Sequence, residues 1–201
     1  MSEQHKPEHH TLLLAAPDAV LAFWFGDGAA SRPEWFRKDD AFDDAIRARF
    51  GATIDAAIGG RIDGWHTIGE REALARILVL DQFTRNVFRG QGRAFAGDAK
   101  ALAASHDLIR TGRDQALGTL QRVFVYLPLE HSESVDDQRL CVARFQALGR
   151  DDPATADFES YAHKHLAVVE RFGRFPHRNA ALGRASTPEE IEFLKQPGSS
   201  F

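Results

Sequence analysis

The sequence predicts an all-α protein, an antiparallel array or bundle of about seven to nine helices. Three observations carry that expectation. Apolar residues recur at three- and four-residue spacings along nearly the whole chain. No run alternates as a half-buried strand does; VFVYL (123–127) comes nearest, and it sits inside a helical pattern. The breaks between periodic segments are short and built on Gly, Pro, Asp and Ser, so successive helices should pack antiparallel.

The elements follow in order. Pro17-Asp18 opens a first helix, AVLAFWF, which Gly26-Asp27-Gly28 ends. Asp39-Asp40 starts a second, running to Gly59-Gly60. A third begins at Gly69-Glu70 and ends near Gly90. Asp98 to Arg110 is a fourth, stopped at Thr111-Gly112. Residues 114–133 make a fifth, with a kink expected at Pro128, which has no N–H to give the preceding turn. Residues 135–148 make a sixth, and Pro153 begins a seventh that stops at Gly173. Ser186-Thr187-Pro188-Glu189-Glu190 reads as a capped start to a short last helix. Residues 1–13 read as a flexible polar tail, its His5, His9 and His10 solvated, and residues 14–201 as one domain. Trp24, Trp35 and Trp65 read as core anchors.

Composition narrows the role. The chain is 43% hydrophobic and 27% charged, with a net charge of -4. That balance argues against a general nucleic-acid or membrane-surface role. No window approaches a membrane-spanning length of apolar residues, and no secretory signal is evident, so a cytoplasmic location is expected. The single cysteine, Cys141, permits no internal disulfide and falls on an apolar stripe as a core thiol.

Polar residues interrupt the inward stripes. Leu74, Leu78, Asp81, Arg85 and Phe88 share one face of the third helix, with Asp81 and Arg85 spaced for an ion pair. Glu130 and His131 extend the apolar face of the fifth helix, with Tyr126 one turn before. Gln138 points inward from the sixth and His165 from the seventh. Buried charges persist only when paired or when they line a wet cavity, so a shared polar pocket between helices is the expectation.

A second pattern is electrostatic. RFGRFPHRN (171–179) packs positive charge into an acidic chain, and no acid occurs from Arg171 through Pro188. Gln82 through Gly97 is also acid-free and carries Arg85, Arg89 and Arg93. Guanidinium forks suit carboxylate or phosphate. The leading reading is a binder of a small anion, held by Arg85, Arg174 and Arg178. Arg89, Asn86 and Asn179 lie nearby, Asp81 and Glu130 orient arginines, and His131 and His177 donate hydrogen bonds. A second reading is an enzyme, with Glu130 and His131 or His177 as acid and base. A third is a protein-interaction scaffold whose polar core is structural. No phosphate loop, GxSxG elbow or HExxH is present, and no metal or cofactor is expected.

Three stretches also carry a family resemblance. LDQFTRNVFRG (80–90), YLPLEHSE (126–133, with Gln138 following) and ERFGRFPHRNAALGRASTPEE (170–190) resemble the hallmark segments of the Domain of Unknown Function 924 family, mostly bacterial proteins. The resemblance spans about residues 17–194 and implies a tetratricopeptide-repeat-like helical fold. It lends no catalytic residues. Thr84 stands where the family more often has proline.

Overall fold

A computed structural model of the chain describes residues 13–28 and 30–200. Its α-helices are α1 (Pro17–Phe25), α2 (Asp40–Ile58), α3 (Trp65–Ile68), α4 (Glu70–Ile77), α5 (Thr84–Val87), α6 (Asp98–Thr111), α7 (Thr119–Glu130), α8 (Val135–Asp151), α9 (Ala156–Phe172) and α10 (Pro188–Leu194). Among the described residues there is no strand, as expected, and no helix is long and apolar enough to cross a membrane. The tail expected over residues 1–13, with its three histidines, lies outside the described residues except for Leu13, which is exposed.

An aromatic core organises the N-terminal half. Trp24 stacks on Trp35 at 6.0 Å between centroids, and Phe83 and Phe124 pack against Trp24. Trp35 and Arg32 also close the end of α1. Trp35 Nε1 donates to the Trp24 carbonyl at 3.0 Å, and Arg32 donates to the Phe23 and Trp24 carbonyls, satisfying acceptors that a helix C-terminus leaves open. Trp65, expected in the core, is half-buried on the short α3, which the periodicity did not anticipate.

The third helix of the sequence reading is three pieces. Between α4 and α5 the backbone widens into a π-helical turn, Leu78–Phe83. Such turns leave carbonyls displaced from their usual donors. Here the Thr84 hydroxyl donates to the Leu80 carbonyl at 2.8 Å. The N-terminus of α6 presses on the same carbonyl from outside, because Gly97 has no Cβ; one built there would overlap Leu80 O. That close approach sets Asp98, the first residue of α6, beside Arg85.

The C-terminal half continues the array: α6 packs on α7, α7 on α8, and α8 on α9. α7 starts at Thr119, after a 3₁₀ turn at Arg113–Ala116, and runs through Pro128 to end at Glu130. Its last carbonyls are capped from α8. Gln138 Nε2 donates to Glu130 O at 2.6 Å, Ser132 O at 2.7 Å and Leu129 O at 3.3 Å. Gly173, at φ 69°, turns the chain out of α9 into a 3₁₀ turn at Pro176–Arg178.

Candidate functional site

Four elements converge on one polar cluster: the π turn, the start of α6, the end of α7 and the 176–178 turn. At its centre is Asp81, fully buried. Its carboxylate accepts from His131 Nδ1 at 2.7 Å and Gln82 Nε2 at 2.6 Å, and pairs with Arg85 Nη1 at 3.0 Å. Burial alone would raise the Asp81 carboxyl. Arg85 and His131 outweigh it and hold the group well below the usual carboxylate range.

Arg85 is saturated. It reaches both oxygens of Asp98, at 2.9 and 3.0 Å, and the Asp81 carbonyl at 2.7 Å. Arg178 faces the same Asp98 from the other side, but at 3.5 Å. Its one short bond is from Nη1 to the His131 carbonyl at 2.9 Å. Phe95 and Phe175 flank the guanidinium, 4.9 and 4.4 Å from it. Arg178 is 6% exposed, and its Nε is buried without an acceptor among the described residues. Burial, reinforced by Arg85, brings the guanidinium down to about 10.

The histidines are neutral. Because His131 Nδ1 meets a carboxylate, that nitrogen bears the proton, and Nε2 carries the lone pair. Burial and Arg85 lower His131 below the ordinary histidine range. Burial takes His165 to about 3 and, with Arg178 beside it, His177 to about 4. His165 Nδ1 donates to the Tyr161 carbonyl at 2.9 Å. Its 3.5 Å approach to Glu130 is therefore a contact between neutral groups. Burial, then the Asp81 charge, raises Glu130 to about 8, so it is a neutral acid at pH 7. Glu130 Oε2 is buried without a partner among the described residues. Two surface depressions lie elsewhere, one on the outer face of α9 and one beside α1, and neither is lined by a residue of the cluster.

The remaining arginines of the two acid-free stretches are used by the fold. Arg174 clasps Glu190 with Nε at 2.6 Å and Nη2 at 2.8 Å. Arg184 holds Glu133 at 2.7 and 2.9 Å, and Arg171 meets Glu189. Arg89 binds Asp43 on α2 at 2.7 and 3.1 Å, and Arg93 pairs with Asp55. The local positive surface read from the sequence is thus largely neutralised by acids from just outside the stretches or from other helices.

Comparison with known proteins agrees with the helical fold. A family model described as bacterial protein of unknown function (DUF924) matches residues 20–198. The chain belongs to the DUF924 family. A solved structure of a protein of unknown function from Agrobacterium tumefaciens is 40% identical, with a TM-score of 0.79 over 89% of this chain and 96% of that one. No curated protein matches.

In this DUF924 protein, Asp81, Arg85, Glu130, His131 and Arg178 come together as a cluster, with His165 and His177 against it. Six other residues read as ligand-binding go elsewhere. Asn86 and Arg89 tie the α5 end to Asp43. Tyr126 donates to Asp114 at 2.7 Å. Gln138 is spent on capping α7. Arg174 and Asn179 both bind Glu190, and Asn179 also bonds Ser186 and Arg184. His131 and Glu130 also differ from the roles read for them. His131 spends its Nδ1 donor on Asp81, and Glu130 pairs with no arginine among the described residues. The sequence reading missed Asp98, Phe95 and Phe175. Asp98 had a signal: it is the first acid after the stretch that ends at Gly97.

Proposed function

We propose that this DUF924 protein binds a small anion, a carboxylate or a phosphate, at Arg178. The observation that carries this reading is the state of one guanidinium. Arg178 is buried against two aromatic rings, shares a carboxylate that Arg85 already holds, and keeps a buried Nε donor without an acceptor among the described residues. A buried donor left unpaired costs about 1–3 kcal/mol, which a bound oxyanion would recover. A thermal-shift screen of carboxylated and phosphorylated small molecules tests it. One anion class raises the melting temperature of the wild type and leaves that of Arg178→Ala unchanged. If no anion moves the wild type, the reading fails.

The tautomer of His131 favours a second reading, an enzyme on the same site. With Nδ1–H fixed by Asp81, Nε2 is a base, and Glu130 is a protonated carboxylic acid at the same end of α7. A turnover assay on any anion that binds tests it. Glu130→Gln should abolish turnover while the fold and the binding persist; unchanged turnover removes Glu130 from the chemistry.

A further inference from the structure

We infer that the anion taken by Arg178 is a single planar carboxylate rather than a phosphate. The inference rests on the anion-site reading above and narrows its ligand class.

Phe95 and Phe175 pack their rings against the Arg178 guanidinium, 4.9 and 4.4 Å from its central carbon, so apolar surface borders the group. One in-plane corner is taken, because Nη1 bonds the His131 carbonyl and faces Asp98. On the opposite edge, which Nε shares with Nη2, Nε is buried without an acceptor among the described residues. Two parallel N–H groups on one edge match the two oxygens of a carboxylate. A phosphate can take the same edge, but it carries further oxygens that need donors, and the two rings beside the guanidinium supply none.

Charge points the same way. Asp81 and Asp98 balance Arg85 and Arg178, and Glu133 is matched by Arg184. One added negative charge replaces part of what Asp98 supplies at 3.5 Å. Two added charges beside Asp81, Asp98 and Glu133 meet repulsion that no further cation offsets. On this account Asp98 is a built-in competitor for Arg178.

Calorimetric titration of the full chain with acetate and with inorganic phosphate, at pH 7 and constant ionic strength, tests this. Acetate should bind the wild type about tenfold tighter than phosphate does. Arg178→Lys, checked for its fold by circular dichroism, should lose about tenfold in acetate affinity, because an ammonium has no parallel pair of donors. Asp98→Asn should bind acetate several-fold tighter. Phosphate binding as well as acetate or better overturns the inference and leaves the anion site standing. Unchanged acetate affinity in Arg178→Lys also overturns it. If neither anion binds the wild type, the anion site itself fails.

Discussion

His131 Nδ1 donates to Asp81 Oδ1 at 2.7 Å, joining the end of α7 to the π turn across 50 residues of sequence. One short bond fixes the tautomer of the histidine and helps keep a buried carboxylate ionised. Asp81→Asn removes that charge from Arg85 and His131 together. Losing one member of a buried charged set typically costs about 3–5 kcal/mol, and urea unfolding should register a loss approaching that size. The ring ¹⁵N signals of His131 should move from a single Nδ1–H tautomer to a mixture. A variant as stable as the wild type, with the tautomer kept, would show that the pair does neither job.

Glu130 sets the alkaline side of the stability profile. Its folded carboxyl holds a proton up to about 8, while the unfolded chain releases it near 4.5. Across that window the unfolded state binds fewer protons, so stability falls as pH rises. The histidines act with opposite sign. They stay neutral in the fold and take a proton in the unfolded chain below 6.5, so stability falls as pH drops from 6.5 towards the folded values of about 4 for His177 and about 3 for His165. Urea midpoints measured at closely spaced pH values should peak near about pH 6–7. Glu130→Gln should flatten the fall from pH 6.5 to about 8 and steepen the rise from 4.5 to 6.5. A limb that persists in the variant assigns the slope to another group.

Glu190 is the knot of the C-terminal segment. It accepts from Arg174 twice, from Thr187 N at 2.7 Å and from Asn179 at 3.3 Å. Glu190→Gln should cost about 2 kcal/mol and raise amide exchange over residues 174–194 while the α6–α8 core stays protected. Uniform loosening of the whole chain would contradict a local lock.

Glycines give a steric test. Gly97→Ala places a methyl into the Leu80 carbonyl and should cost about 2 kcal/mol or more. Gly51 lies within α2 with open space around it, so Gly51→Ala should be neutral or stabilise by about 0.5–1 kcal/mol. Equal effects from the two would mean that the π turn yields freely to α6.

The fold was legible because helical periodicity and Gly–Pro punctuation are local properties. Where long-range contact intervened, the reading slipped. The Gly97–Leu80 approach and the Thr84 hydroxyl accompany a π turn that no spacing announces. The site was half legible. Inward-pointing Asp81, Arg85, Glu130, His131 and His165 follow from stripe positions. Their destinations do not, so Gln138 and Tyr126 pointed inward as read yet serve a helix end and Asp114. The acid-free stretches misled for a definable reason. Their partners, Asp98, Glu189 and Glu190, stand immediately beyond them. Only packing reveals that Arg178 alone, among Arg85, Arg174 and Arg178, lacks a close carboxylate of its own.

The side-chain Hε–Nε resonance of Arg178 reports on the anion site at the atom that would bind. It is assigned by its loss in Arg178→Lys and followed by ¹H–¹⁵N correlation as acetate is added at constant ionic strength. A saturable shift of this signal, larger than that of Arg174 or Arg184, is the predicted result. A signal that stays in place while surface arginines respond equally or more would contradict an anion site at Arg178.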